Sequence, residues 1–306
     1  MNPEMNEIIK LQNENRALQL LAAQRQIYAR AKCLLGWQLI LGGPIAALVA
    51  VFGIIEPNAK EYVAAWGFTI LLLDTLYLGP AQRRMRESGA RVQERFDCDV
   101  LELQWDATKV GNPESVEFVH EQAQRYQTWA SKMPPLTEGY PRAVQRIPLS
   151  LARIVCQRTN CWWDAQQRRR YAGVMAGLLL GVAILVFWAG VASGLKVSDF
   201  LLIVLLPMLP TLKLAHQQWV ENRDAADRLD RLREHAERVW RHAIMNPAGP
   251  NLENDARSLQ GEIFDGRKRN PLVFDFVFKL LRDRHEAQMN VGAEHFVDEA
   301  ERGITA

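Results

Sequence analysis

The chain has no strong net charge. Its 37 lysines and arginines almost balance its 35 aspartates and glutamates, which leaves a formal charge of +2 at pH 7. Proteins that bind nucleic-acid polymers usually present a clearly basic surface, so a nucleic-acid polymer is not expected as a partner. The basic residues are instead concentrated beside the apolar stretches of the sequence.

Cysteine is scarce, with four residues in a chain of 306. Cys33 lies at the edge of an apolar stretch, while Cys98, Cys156 and Cys161 lie in polar segments. In a reducing compartment these residues are expected to be thiols, not a disulfide framework. A zinc site needs four ligands in recognisable pairs, and Cys156 and Cys161 have no second pair. Buried thiols are therefore the favoured interpretation, and no metal is expected.

The usual motifs of enzymes are also absent. The sequence contains no Walker loop, no GxGxxG, no nucleophile elbow and no HExxH. Asp97 and Asp99 are two carboxylates close in sequence, but no histidine, lysine or phosphate-binding loop accompanies them. No enzymatic activity and no cofactor are therefore expected. The polar first thirty residues also predict that there is no cleavable signal sequence.

Four long apolar stretches are what the sequence does contain. Each is long enough to cross or nearly cross a hydrocarbon core of about 30 Å. They cover Cys33–Ile55, Tyr62–Gly79, Tyr171–Ala192 and Phe200–Leu214. Only short polar loops separate the first stretch from the second and the third from the fourth, which predicts two transmembrane hairpins. The mean hydropathy of −0.16 conceals this segregation.

Charges at the ends of these stretches predict the topology. Arginines and lysines flank the outer ends of both hairpins, whereas the two short loops carry mixed charges. The positive-inside rule then places both termini and the long central segment in the cytosol. The sequence thus predicts an all-α polytopic membrane protein with a mostly helical cytosolic domain. Its segments are an N-terminal helix (1–32), the first hairpin (33–79), a central segment (80–170), the second hairpin (171–215) and a C-terminal segment (216–306).

Helices are predicted for most of the polar segments. Residues 4–32 form one predicted helix that runs into the first span. Residues 96–105 alternate imperfectly between apolar and polar, which indicates a short strand. Further helices are predicted over 112–132, 150–171, 251–264 and 271–289. A break is predicted at 246–250, where Pro247, Gly249 and Pro250 cluster.

Two features of the predicted spans are candidates for packing or gating. Gly173, Gly177 and Gly181 recur every four residues on one face of the third span, which favours close approach of another helix, either from the same chain or from another copy. Pro207 and Pro210 lie inside the fourth span and predict a kink or hinge.

Asp74 is an acid inside the second span. Ionisable residues at such positions usually face protein or water, so Asp74 is a candidate pore-lining residue. The alternative, that it reaches the membrane interface or caps a neighbouring side chain, stays open.

Aromatic and basic residues before the third span are candidates for binding a nucleotide. The tryptophans can stack on bases and the guanidinium groups can fork phosphates. These residues are Arg158, Asn160, Trp162 and Trp163, and a second basic cluster contains Arg267 and Arg269. Tryptophan and arginine just before a membrane helix are also the ordinary interfacial anchor, and this alternative stays open.

Three segments resemble a known family, the SMODS-associated four-transmembrane effectors of bacterial anti-phage systems that signal through cyclic oligonucleotides (CBASS). The resemblance rests on RFDCDVLELQW (95–105), on CQRTNCWWD (156–164) with RRRY (168–171), and on the segment from 263 to 282. It implies that these positions are suspects for sensing a ligand. Arg95, Asp97 and Trp105 therefore join the candidates for ligand binding.

The resemblance also implies a function. A partner nucleotidyltransferase would make a cyclic di- or trinucleotide after infection, and the effector would bind it and damage the bacterial inner membrane. The favoured hypothesis is a homo-oligomer that forms a pore or disrupts the bilayer and causes abortive infection. The alternative is a non-conducting membrane adaptor whose cytosolic helices dock a protein partner.

Overall fold

The computed structural model describes residues 6–245 and 251–305, and every regular element in these two ranges is helical. The predicted break at 246–250 lies outside the described residues. Four helical segments are long and apolar enough to cross a membrane, as the sequence predicted: Asn15–Ile55, Lys60–Val100, Leu149–Ala192 and Val197–Met245. The described part of the chain is thus an all-helical, multi-pass architecture.

The helices are numbered in chain order. They are α1 (Ile8–Leu11), α2 (Asn15–Gly42), α3 (Pro44–Ile55), α4 (Lys60–Leu73), α5 (Gly79–Val100), α6 (Ala107–Val110), α7 (Val116–Gln127), α8 (Leu149–Ser193), α9 (Val197–Phe200), α10 (Leu206–Met245), α11 (Leu252–Arg269) and α12 (Asp275–Thr305). Two π-helical segments, Asp74–Leu78 and Leu201–Leu205, join α4 to α5 and α9 to α10.

The chain divides into two compact units. The polar unit contains Met1–Ala29, Arg86–Arg168 and Asp224–Ala306, and the apolar unit contains Arg30–Met85 and Arg169–Arg223. Buried side chains of the polar unit include Leu101, Ile154, Trp240 and Phe264. In the apolar unit, a buried cluster contains Ala46, Val186, Ile203, Val204 and Met208, and many large apolar side chains face outward, as a membrane requires.

The predicted strand over 96–105 is wrong. Helix α5 continues through Val100, and its last two turns are buried on almost every side, including Glu94, Phe96, Asp97 and Cys98. Because few positions of these turns face solvent, their sequence shows no clear 3.6-residue periodicity of apolar residues. It resembles instead the alternation of apolar and polar residues that is typical of a strand. Glu102, with a φ of 50°, then turns the chain away.

The N-terminal helix is interrupted, whereas one continuous helix was predicted. Between α1 and α2 the side chain of Gln12 is buried and forms hydrogen bonds with the backbone of Tyr140. Its Oε1 accepts from the N–H of Tyr140 at 2.8 Å, and its Nε2 donates to the carbonyl oxygen at 3.5 Å. A long-range contact thus replaces local helix continuity at this point.

The other predicted helices are present with shifted ends. The predicted helix over 112–132 is α7, whose first turn is capped by Ser115 Oγ accepting from the N–H of Phe118 at 3.2 Å. The predicted helix over 150–171 is the first half of α8. Asn251 caps α11 through its Oδ1, which accepts from the N–H of Asn254 at 3.3 Å. Such caps satisfy otherwise orphaned backbone donors at helix starts.

Candidate functional site

Asp97 lies at the centre of a buried hydrogen-bond network. Asp97 lies in helix α5 and is buried, with its carboxylate facing helix α11. Oδ1 accepts from the hydroxyl of Tyr140 at 2.7 Å, and Oδ2 accepts from Nε2 of Gln260 at 2.8 Å and from the guanidinium of Arg267. Asn160 donates from Nδ2 to the Tyr140 hydroxyl at 3.3 Å. The structure therefore brings together three predicted site residues, Asp97, Asn160 and Arg267.

Glu94 adds a second buried carboxylate one helical turn before Asp97. It is 0% exposed, and its Oε1 accepts from a terminal nitrogen of Arg257 at 2.6 Å. Its Oε2 accepts from Nε2 of Gln260 at 2.8 Å, so that Gln260 bridges both carboxylates. Gln157 in α8 donates in turn to Oε1 of Gln260 at 3.1 Å. Two acids and two arginines thus balance charge inside the polar unit.

Burial and neighbouring charge shift the pKa values in this network. Burial, followed by the charge of Asp97, raises the pKa of Glu94 above its ordinary value. Burial and Asp97 likewise raise the pKa of Tyr140. Burial would lower the pKa of Arg267, but Asp97 outweighs it and raises that pKa. Burial raises the pKa of Cys98 to about 12, so this thiol stays neutral.

The network closes Asp97 and Arg267 to solvent in this structure. The Arg267 side chain is 12% exposed and that of Asp97 is 2% exposed, and the two side chains form an ion pair. A nucleotide that reached either group would first have to break this ion pair. Glu94, Tyr140 and Gln260 were not among the predicted site residues. A glutamate three residues before Asp97 is the signal that was available, since that spacing places both acids on one helix face.

A half-exposed surface lies beside this network. The guanidinium of Arg95 is 6.0 Å from the ring centroid of Trp105, and its Nε is 3.0 Å from Asp99. The Trp105 indole N–H donates to the carbonyl of Gly111 at 2.9 Å, and its ring packs on a cluster that includes Phe264 of α11. The ring is therefore held in place while part of it stays accessible.

Two further cations extend this surface over α6 and α11. Lys109 lies 2.7 Å from Glu262 and 3.4 Å from Asp265. Arg269, whose side chain is 75% exposed, is 3.8 Å from the same Asp265. We call the surface formed by Arg95, Trp105, Lys109 and Arg269 the Arg95–Trp105 face. It combines an aromatic ring with three cations, each of which pairs with a neighbouring carboxylate, namely Asp99, Glu262 or Asp265.

Arg158 occupies a different place in the polar unit. Its Nε is 3.0 Å from Glu237 of α10, and its guanidinium lies 4.9 Å from the ring centroid of Phe296 in α12. Trp162 and Trp163 follow one turn later on α8 and are both half-buried. The division into units assigns both tryptophans to the polar unit, within Arg86–Arg168.

Asp74 takes part in a polar chain within the apolar unit. It begins a π-helical turn and accepts a hydrogen bond from Nε2 of Gln38, which is 8% exposed. Oε1 of Gln38 accepts in turn from Nε2 of Gln82 at 2.5 Å. Apolar surroundings favour such internal pairing, because an unpaired polar group in hydrocarbon is costly. Gln38 and Gln82 were not among the predicted site residues.

The three predicted packing glycines have no close neighbour among the residues that the structure describes. A Cβ built on Gly173, Gly177 or Gly181 would meet no other atom within 4 Å. The close approach occurs at Gly67 instead, where a Cβ would lie 2.7 Å from the carbonyl oxygen of Leu206. Helix α4 therefore packs against the backbone just before Pro207.

The two predicted prolines follow irregular backbone. The π-helical segment Leu201–Leu205 ends two residues before Pro207, and Pro210 lies within α10. Because proline lacks an N–H, neither Pro207 nor Pro210 can donate a backbone hydrogen bond to the preceding turn of the helix. The second π-helical segment, Asp74–Leu78, likewise ends two residues before a proline, Pro80. Both irregular turns thus lie beside prolines in the apolar unit.

The four apolar helices and the helical polar unit define a multi-pass α-helical membrane protein. The family model described as SMODS-associating 4TM effector domain matches residues 6–296, and the chain belongs to this family. A protein of Bacillus cereus (strain VD146) described as a probable CBASS effector molecule is 21% identical over 239 residues, which cover 74% of this chain and 77% of that protein. No solved structure matches the chain.

Proposed function

We propose that the protein is a non-enzymatic membrane effector of anti-phage signalling that a cyclic di- or trinucleotide activates. The observation that carries the proposal is membership of the family. In addition, each of the four long helical segments has residues in both the apolar unit and the charged polar unit. In this arrangement a nucleotide bound by the polar unit can act on the bilayer through helices that belong to both units.

The Arg95–Trp105 face is the proposed sensing surface. Asp97 and Arg267 already satisfy each other inside the network, whereas Trp105 offers an accessible ring and Arg269 an exposed guanidinium. Aromatic rings stack on bases, and arginines bind phosphates through two donors. We assign Asp97 and Arg267 the role of holding α5 and α11 together beneath this surface.

The activated state is proposed to be a homo-oligomer that forms a pore or disrupts the inner membrane, with the polar unit and both termini in the cytosol. A Cβ at Gly173, Gly177 or Gly181 would meet no atom of the described residues within 4 Å, which leaves that face of α8 open to a second copy. A ligand activates such a protein only if it binds the active state more tightly than the resting state. Phosphate and base contacts made after assembly supply that difference.

Binding of nucleotides to purified full-length protein tests the sensing surface. Calorimetry with a panel of cyclic di- and trinucleotides should show one that binds the wild type. Arg95→Ala and Trp105→Ala should each weaken that binding by about tenfold or more, and Trp105→Phe should retain most of it because the ring remains. Arg125→Ala is a matched control, since Arg125 forms the same kind of i,i+4 ion pair with Glu121.

Two outcomes would count against this assignment. If no nucleotide of the panel binds the folded wild type, activation by a cyclic nucleotide is contradicted. If the wild type binds and both alanine variants bind equally well, the sensing surface lies elsewhere, and the cluster of Arg158, Trp162 and Trp163 is the next to test. Retention of a protein partner without any membrane leakage would support an adaptor instead.

A further inference from the structure

One end of the apolar unit carries a strongly basic band. Eight lysines and arginines lie in its four chain segments at this end: Arg30, Lys32, Arg83, Arg84, Arg169, Arg170, Lys213 and Arg223. The same segments contain one acid, Glu221, whose Oε1 accepts from Gln217 at 2.7 Å. This end of the unit therefore has a large excess of positive charge.

The opposite end of the apolar unit has no such excess. The short connections there contain Lys60 and Lys196 together with Glu56, Glu61 and Asp199. Lys60 and Asp199 form an ion pair at 3.4 Å. The two ends of one unit thus differ in charge, and the basic band does not simply reflect a generally basic chain, whose net charge is only +2.

Seven of the eight cations lie at nearly the same depth along the helices, and Arg223 lies nine residues beyond the fourth stretch. Arg30 is three residues before the first apolar stretch, and Arg84 is five residues after the second, which corresponds to at most about 8 Å of helical rise. Arg170 directly precedes the third stretch, and Lys213 lies at the end of the fourth. Four helices therefore bring cations to one level, immediately beside surfaces that expose large apolar side chains.

Two adjacent pairs of arginines are suited to phosphodiester groups. Arg83 with Arg84, and Arg169 with Arg170, are all exposed. Guanidinium groups bind phosphate oxygens through two parallel donors, and their long stems can reach from an apolar surface towards a charged layer. A ligand that satisfies both the cations and the neighbouring apolar surface must carry a phosphate and acyl chains.

We propose that this band binds the headgroups of anionic phospholipids, the phosphatidylglycerol and cardiolipin class, in the leaflet at this end of the four apolar helices. The lipids neutralise the band and occupy the surface around the four helices at this level. The inference concerns the protein without any nucleotide, so it goes beyond the proposed function and is tested separately from it.

Spin-labelled lipids test the proposal in bilayers that contain the full-length protein. Electron paramagnetic resonance gives the association of labelled phosphatidylglycerol relative to labelled phosphatidylcholine. For the wild type we expect phosphatidylglycerol to be preferred by about threefold or more at low salt, with the preference falling as salt is raised. Soluble glycerol phosphate should not displace it, because it lacks the acyl chains.

Matched variants test whether the basic band causes the preference for phosphatidylglycerol. The variant that carries Arg83→Gln, Arg84→Gln, Arg169→Gln and Arg170→Gln should lose most of the preference for phosphatidylglycerol. The same four positions changed to lysine should retain part of it, because the charge remains while the paired guanidinium donors are lost. A control with Lys10→Gln, Arg142→Gln, Arg231→Gln and Arg241→Gln removes the same charge from exposed positions of the polar unit and should keep the preference.

Three results would overturn the proposal. They are equal association of both lipids with the wild type, an unchanged preference in the glutamine variant, and an equal loss in the control. If the glutamine variant fails to insert, two measurements still test the proposal. They are the salt dependence of the lipid preference of the wild type and the preference of the double variant Arg83→Gln, Arg84→Gln. A lipid preference that changes neither with salt nor in the double variant contradicts the proposal.

Discussion

Asp97 and Arg267 form an ion pair across 170 positions of sequence, and the pair lies almost entirely inside the polar unit. It joins α5, which continues from the second span, to α11, which belongs wholly to the polar unit. Gln260 and Tyr140 complete the carboxylate's hydrogen bonds. The pair therefore ties distant parts of the chain together where solvent does not screen the interaction.

Removal of one partner of this pair should destabilise the polar unit. Arg267→Met leaves two buried carboxylates with one arginine, and we expect a loss of about 3–5 kcal/mol in the free energy of unfolding. The double variant with Asp97→Asn should recover part of this loss, because the unpaired charge is gone. Unfolding by denaturant in detergent, followed by circular dichroism, measures both.

Arg269→Met is the control for this experiment. Its side chain is 75% exposed, and its ion pair with Asp265 at 3.8 Å should contribute at most about 1 kcal/mol. A loss for Arg267→Met as small as that for Arg269→Met would contradict the structural role assigned to the buried pair.

Glu94 should make stability depend on pH. Its pKa in the folded protein is raised above the ordinary 4.5, first by burial and then by Asp97. Between pH 4.5 and the raised pKa, the folded protein holds a proton that the unfolded chain has released, so the free energy of unfolding falls as pH rises. Glu94→Gln should flatten this part of the profile, measured by thermal unfolding across the range. A profile unchanged in slope would show that Glu94 does not titrate there.

Gly67 should tolerate no side chain, whereas Gly177 should. A Cβ at position 67 would lie 2.7 Å from the carbonyl oxygen of Leu206, and the backbone of α4 would have to move away. We expect Gly67→Ala to lower the midpoint of thermal unfolding by several degrees, on the scale of about 1–3 kcal/mol for overpacking. Gly177→Ala meets no atom within 4 Å and is the matched control. Equal effects would contradict the packing described here.

A bulky residue at Gly177 tests the proposed oligomer. Gly177→Leu should leave the monomer folded but reduce the fraction of cross-linked oligomers in bilayers, because the open face of α8 no longer permits close approach. Cross-linking unaffected by this change would show that the face is not the contact between copies.

The hydrogen bonds of Gln38 should stabilise the apolar unit. Gln38→Leu removes the donor to Asp74 and the acceptor for Gln82, and we expect a loss of about 1–3 kcal/mol. Gln217→Leu, on the exposed side of α10, removes only a bond to Glu221 and should cost less than about 1 kcal/mol. Thermal unfolding of both variants in the same detergent makes the comparison, and similar losses would contradict a special role for Gln38.

The spans could be predicted because each needs a long apolar run, which is a local property of the sequence. The buried network could not be predicted, since Asp97 and Arg267 meet only after the chain between them has folded. The strand expected at 96–105 failed for a related reason: the last two turns of α5 are mostly buried by tertiary contacts, so few polar positions there mark a helix face. Among the glycines, regular spacing drew attention to Gly177, while the close approach at Gly67 has no local signal.

Leakage from dye-loaded liposomes measures whether a cyclic nucleotide makes the protein permeabilise a membrane. The purified protein is inserted into liposomes, and cyclic di- and trinucleotides are added one at a time. We predict release of the dye with one cyclic nucleotide or a small set of related ones, and no release with linear nucleotides. Absence of release with every cyclic nucleotide, from protein that is folded and inserted, would contradict a nucleotide-activated effector that permeabilises the membrane.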